Sequence, residues 1–214
     1  MARRRIVVGL DARTRERELE AAAAFAGRLG AELAGLFIED IDLLRFAALP
    51  FAHEIGVASA ARLKLDLDAM ERAMRALAVD AARRLEASAA QNAVPWSFRV
   101  ARGIAAQELL CAALEAAGEG REETRLLLLG DGDSPATRWA EVASAGAAAQ
   151  EAARRLQIVH SADLSALERA LREGEPAVVV LQGEESVLAQ QGLAAVLRES
   201  GIPVIIVPGR GARR

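Results

Sequence analysis

Short runs of apolar, often β-branched residues recur along the chain. Between them lie longer stretches with apolar side chains at three- and four-residue steps. Ile6-Val7-Val8-Gly9-Leu10 shows no alternation of apolar and polar positions, as a strand covered on both faces requires. Leu19, Ala22, Ala23, Ala26 and Leu29 fall on one stripe, which predicts a helix from about Thr14 to Leu29. Gly30 is placed to end it. Leu33 to Ile38 reads as the next buried strand, so the span is a parallel crossover unit of right-handed connection. A second helix is predicted from about Asp66 to Ala90 on Leu67, Met70, Met74, Leu77, Ala81 and Leu85. Trp96 to Ala101 predicts a third strand, and Gly103 introduces a helix from Ile104 to about Ala117.

Beyond the polar loop Gly118-Glu119-Gly120-Arg121-Glu122-Glu123 the alternation resumes. Strands are predicted at Arg125–Leu129, Gln157–His160, Ala177–Leu181 and Val204–Val207. Helices are predicted over most of Pro135–Leu156, over Asp163–Arg172 with Ser161 or Asp163 as cap, and over Ser186–Ser200. Seven strands alternating with helices define an α/β fold: a doubly wound, mostly parallel, Rossmann-like sheet with helices on both faces. Ile6–Leu10 belongs near its centre. Asp42 to Lys64 fits neither pattern, because Pro50 and Gly56 interrupt a segment rich in Leu43, Leu44, Phe46, Leu49, Phe51, Ile55 and Val57. It is expected to fold over the sheet as core, the alternative being a surface for a protein partner. The burial of Phe46 and Phe51 separates the two.

Ile6–Ile38 and Leu126–Val159 share one order of strand, aspartate, alanine-rich helix and strand. Asp11 to Ile38 spans 27 positions and Asp131 to Val159 spans 28. The echo divides the chain into a repeat over residues 1–120 and, over 124–208, a second, truncated repeat or an extension of the same sheet.

Composition narrows the function. Hydrophobic residues make up 52% of the 214, much of it alanine, so the helices are expected to pack closely. Aromatic residues are only 3% and tyrosine is absent, which argues against stacking of nucleic acid bases. A net charge of −3 gives no general attraction to nucleic acid or anionic membrane. Arg3-Arg4-Arg5 and the arginines from Arg210 to Arg214 read as solvated ends. The apolar run after the first arginines stops at Asp11, and no segment approaches a membrane span, so a soluble cytoplasmic protein is expected. The one cysteine, Cys111, allows no intrachain disulfide and is expected to be a small buried hydrophobe in a reducing compartment.

Three stretches, taken together in order and spacing, resemble the universal stress proteins. They are Arg5-Ile6-Val7-Val8-Gly9-Leu10-Asp11, Gly30-Ala31-Glu32-Leu33-Ala34-Gly35-Leu36-Phe37-Ile38 and Gly201-Ile202-Pro203-Val204-Ile205-Ile206-Val207. The resemblance implies a sheet of the adenine nucleotide alpha hydrolase-like kind. It also implies a stress-response role and pairing of two copies through the final strand. Family members that bind ATP carry a loop G-x2-G-x9-G-[ST], whose backbone N–H groups cradle phosphates. The matching glycines here are Gly183 and Gly192, nine positions apart where the pattern requires about thirteen. Leu193 follows without a hydroxyl, and Glu184 and Glu185 occupy the loop. If Arg125–Leu129 is instead the fourth strand of a complete repeat, the loop becomes Gly130-Asp131-Gly132-Asp133, again acidic and wrongly spaced. On either alignment the phosphate loop is lost.

The expected function is therefore a non-catalytic binding or regulatory module with no cofactor. The second reading is an adenine-nucleotide binder, for AMP or ATP. Its site would draw on Asp11, Phe37 and Ile38 at the ends of the first two strands and on Gly130, Asp131 and Gly183 in the loops. Asp11 is either a ribose acceptor or a carboxylate favoured by a helix N-terminus. A third reading is a weak serine hydrolase using Ser134 in Gly132-Asp133-Ser134. A nucleophilic serine needs a base, and only His53 and His160 exist; Ser134 before Pro135 also makes a good helix start. Two histidines and one cysteine far apart do not suggest zinc. Met70 and Met74 fit a core stripe, and Trp139 fits core or interface.

The final strand, Val204-Ile205-Ile206-Val207, carries no charge and is expected at a sheet edge. There it would pair with a second copy as a homodimer, unless the first half or the arginine-rich tail covers it.

Overall fold

A computed structural model of the chain describes residues 5–11, 14–49, 51–55, 62–64, 66–117, 123–129, 142, 155–161, 163–173 and 178–207. The strands are β1 (Arg5–Leu10), β2 (Glu32–Asp40), β3 (His53–Ile55), β4 (Arg62–Lys64), β5 (Trp96–Gly103), β6 (Glu123–Leu129), β7 (Arg155–Ser161), β8 (Val178–Gln182) and β9 (Val204–Val207). The helices are α1 (Glu16–Leu29), α2 (Ile41–Ala47), α3 (Leu67–Gln91), α4 (Ala105–Ala117), α5 (Leu164–Glu173), α6 (Glu185–Leu188) and α7 (Leu193–Ser200).

Seven strands form one sheet in the order β5-β2-β1-β9-β8-β6-β7, and every pairing in it is parallel. The fold is thus a doubly wound, Rossmann-like α/β sheet, with β1 beside its central strand. Both halves of the chain contribute to that one sheet. β3 and β4 make a separate antiparallel hairpin within the segment that showed neither periodicity.

Alternate residues of each inner strand feed two cores. Ile6, Val8 and Leu10 join Val204, Ile206, Leu127 and Leu129 under α1, α3, α5, α6 and α7. Val7 joins Ile205, Val207, Leu128 and Val180 under α4. This explains why the strand runs lack alternation: both faces must be apolar. The steps β1 to β2 to β5 and β7 to β8 to β9 all run the same way along the sheet, with their helices on the first face. The return from β5 to β6 runs the other way and uses α4 on the second. One crossover hand produces this arrangement.

Gly30 ends α1 in the left-handed conformation at φ 64°, its N–H and that of Ala31 reaching back to the last turn. The Asp163 carboxylate accepts from the Ala166 N–H and so caps α5, whereas Ser161 lies buried at the end of β7. The helix expected over Ser186–Ser200 is two helices, because Gly192 at φ 91° breaks it before α7. β7 begins at Arg155, so Arg155 and Leu156 are strand rather than the end of the expected helix. Of the other residues expected in that helix only Val142 is described, and it is helical; Trp139 lies outside the described residues.

Three expectations are corrected by the packing. Val204, Ile205, Ile206 and Val207 are not at an edge. β9 is the central strand, hydrogen-bonded to β1 on one side and β8 on the other, and all four residues are buried. No second copy can pair through it without opening the sheet. β5 is the edge instead, and most of its residues are exposed or half-buried rather than buried. The segment after β2 divides: Leu44, Ala47 and Ala52 are core, whereas Phe46 is 48% and Phe51 69% exposed. Those two aromatic residues therefore do not fold over the sheet as core.

Gly35 shows how closely α3 lies on β2. A Cβ at this position would stand 2.5 Å from Leu85 Cδ2 and 2.9 Å from Leu10 Cδ1, both on fully packed side chains. Gly35→Ala is expected to lower unfolding free energy by about 1–3 kcal/mol in urea denaturation. An unchanged midpoint would show that the α3 contact yields freely.

Candidate functional site at the carboxyl edge of the sheet

In an open parallel sheet the strands' carboxyl ends form the usual ligand crevice, most of all where neighbouring strands send their connections in opposite directions. β6 leads outward to β7 and β8 leads inward to β9, so the switch lies between β6 and β8. Leu129 ends β6 there, with Gln182 ending β8 and Ser161 beside Leu129 on β7. β1 ends nearby between β2 and β9.

Asp11 stands at the end of β1 and is exposed. Its backbone N–H donates to Thr14 Oγ1 at 2.9 Å, and the Thr14 hydroxyl donates to Asp11 Oδ1 at 2.9 Å. Thr14 is buried, and its carbonyl accepts from Arg84 of α3 at 2.8 Å. The carboxylate is thus built into the turn that leads to α1. The next turn holds a capping box in which the Arg15 N–H donates to Glu18 Oε2 at 3.3 Å.

Glu18 reports on its neighbours. Burial pushes its carboxyl above the usual range, and the negative charges of Asp11 and Glu184 push the same way, against the Arg15 hydrogen bond. Asp11 and Glu184 thus bring negative charge near Glu18 at the ends of β1 and β8, an acidic rim in which the Arg15 cation also sits.

The remaining expected site residues are placed as follows. Phe37 is buried in the core under α1 and α3, while Ile38 is half-buried on the opposite face against the α4 core. They do not line one crevice. Gly183 is buried and its N–H donates to Val207 O at 2.8 Å, so that amide belongs to the sheet. Gly130, Asp131 and Ser134 lie outside the described residues. His53 Nδ1 lies 2.7 Å from its neighbour Phe51 O, and His160 is exposed. Cys111 is exposed on α4, not the buried hydrophobe that its apolar surroundings suggested.

Two features escaped the sequence. Glu39, at the end of β2, is buried, and Arg102 of β5 reaches its Oε2 through Nη2 at 2.8 Å and Nε at 2.9 Å. Nη1 of the same arginine meets Glu71 of α3 at 3.3 Å, and the Glu39 hydrogen bond chiefly holds the guanidinium still more firmly protonated. Only the register Glu39↔Arg102 brings them together, and register is not written in either strand alone. The second is Ser161, whose buried hydroxyl has no hydrogen-bond partner among the described residues and lies beside the switch point.

Among the described residues no group of three His, Cys, Asp or Glu side chains is placed to hold a metal ion. No helix among them is long and apolar enough to cross a membrane. An open groove of about 400 Å³ lies on the outer side of α1 against α6, but Arg17 and Arg28 share it with Glu20 and Glu185. Compared with known proteins, the chain matches no protein-family model and no curated protein.

Glu18 titrates upward in the folded state, so its ionised form destabilises at neutral pH and the penalty fades as pH falls through the raised pKa. Glu18→Gln keeps a capping-box acceptor and removes the charge. It is expected to raise the melting temperature at pH 7, with the gain vanishing by about pH 4. A gain that persists at acid pH would assign the effect to packing.

Ser161→Ala removes a buried hydroxyl that has no hydrogen-bond partner among the described residues. It is expected to stabilise the protein by about 1 kcal/mol. A loss of similar size would show that the hydroxyl has a partner in solution.

Proposed function

We propose that this protein is a non-catalytic binding and regulatory module of the universal stress protein type, in which the phosphate-gripping part of the strand-end crevice is lost. The observation that carries this reading is the acidic rim. Asp11 and Glu184 lie near enough to Glu18, at the strand ends where a nucleotide's phosphates would sit, to add to the upward push that burial gives its carboxyl. A triphosphate would meet repulsion there, and the amide of Gly183 is committed to Val207. The broken glycine spacing and the carboxylates of Glu184 and Glu185 point the same way. Protein contact is then the output, and the exposed Phe46 and Phe51 are the side chains we assign to it. A reducing, cytoplasmic setting suits the single cysteine, exposed on α4.

Thermal melts with and without saturating ATP and AMP test the reading. A ligand held only by the folded state stabilises it by about 2.7 kcal/mol at a hundred times its dissociation constant. The expected result is no shift with ATP. A clear rise that disappears in Asp11→Ala would replace this reading with the adenine-nucleotide one.

A further inference from the structure

We propose that two copies of this chain join through β5, antiparallel and centred on Phe98, so that their sheets become one. Among the described residues β5 has a single strand neighbour, β2, and its other side is an open edge. The Leu33 N–H donates to Pro95 O at 2.9 Å, and Leu33 stands opposite Trp96. In a parallel ladder this turns the backbone groups of Pro95, Ser97, Arg99 and Ala101 toward β2. Those of Trp96, Phe98, Val100 and Arg102 turn outward. The same outward set carries the exposed apolar side chains, Trp96 at 39% and Val100 at 46%.

The edge is not defended in the usual ways. Charged side chains normally discourage edge pairing, but both arginines of β5 are engaged within their own chain. Arg99 meets Glu115 of α4, and Arg102 meets Glu39 and Glu71. Exposed large apolar residues also gather on this side of the molecule. Trp96 and Val100 lie on β5, and Leu43, Phe46, Leu49 and Phe51 on α2 and the loop after it, whereas Val142, between β6 and β7 in sequence, lies elsewhere. Among the described residues β7, the opposite edge, contributes none.

Self-complementarity selects a second copy as the occupant and fixes the register. Centred on Phe98, an antiparallel pair sets Trp96 against Val100 of the second copy and Phe98 against its own equivalent, all three through outward backbone groups. Apolar side chains then face apolar ones. On the other face Arg99 lies opposite Ser97 of the second copy. The Ser97 hydroxyl already donates to Glu32 at 2.5 Å, so the arginine approaches a carboxylate. Centring on Arg99 instead would oppose two arginines and place Trp96 against Arg102. Centring on Val100 would place Phe98 against Arg102. α2 stands at the carboxyl end of β5, which extends the apolar contact beyond the strand.

Sedimentation of the full chain is expected to show a dimer at micromolar concentrations, and Val100→Lys to raise its dissociation constant by about tenfold or more with an unchanged circular dichroism spectrum. Cross-linking tests the register in a Cys111→Ser background. In the Phe98-centred pair, residues 97 and 99 of opposite copies form a non-hydrogen-bonded pair with Cα atoms about 4.5 Å apart, within disulfide range. A mixture of Ser97→Cys and Arg99→Cys proteins is therefore expected to form a disulfide-linked dimer on mild oxidation, and neither protein alone. A monomeric wild type overturns the proposal, as does a dimer that Val100→Lys leaves intact. Cross-linking by Arg99→Cys alone, or none in the mixture, overturns the register.

Discussion

The sheet of this protein holds together through its last four residues of strand. β9 slides between β1 and β8, so strands from the two ends of the described chain become neighbours at its centre. Val204 and Ile206 enter the core under α1 and α7, and Ile205 and Val207 enter the one under α4. Without β9, the outer strands of the first half and those of the second share no backbone hydrogen bonds within the sheet. Burial of four β-branched side chains, at about 25 cal/mol per Å² of apolar surface, is thus tied to the ladder that joins the halves. Loop closure over nearly the whole chain precedes that gain, which makes this junction a slow, late step in topological terms.

The same junction sets the character of the carboxyl edge. Because β9 also pairs with β8, with Val207 opposite Gln182, the Val207 carbonyl is near enough to take the Gly183 N–H. A glycine amide that a phosphate loop would leave open becomes one more rung of the sheet. The β8 loop then runs Glu184 and Glu185 into α6, bringing Glu184 toward Glu18 and Asp11. Carboxylates at helix N-termini are individually favoured by about 0.3–1 kcal/mol, but gathered together they oppose one another. Burial raises the Glu18 carboxyl most, and the charges of Asp11 and Glu184 add to that rise.

What the sequence made legible, and what it did not, follows from the range of each interaction. The inner strands could be read because each is a short apolar run, and a strand covered on both faces announces itself locally. β5 instead showed apolar residues at alternate positions, Trp96, Phe98 and Val100. The order of the strands could not be read. Nothing within Val204–Val207 distinguishes a central strand from an edge, since apolar β-branched residues suit both. Gly192 resembled a helix residue until its φ of 91° split α6 from α7. The site was less legible still: Asp11 was found, but the approach of Glu184 to Glu18 depends on contacts across the sheet. Glu39 and Arg102 are 63 positions apart and meet only through the β2–β5 register.

That last pair bears on how an edge strand so little buried stays in place. β5 bonds to β2 along its whole length and is fastened to a helix on each face: Arg102 to Glu71 of α3, and Arg99 to Glu115 of α4. Exposed ion pairs of the second kind contribute about 0–1 kcal/mol, so they align the strand more than they hold it. Glu39 differs because it is buried and Arg102 is its partner through two nitrogens. A buried carboxylate deprived of its cation is far more costly than a surface pair is useful. The chain therefore keeps Arg102 turned back toward Glu39 on the core side of β5. The apolar Trp96 and Val100 are left as the face that the edge presents.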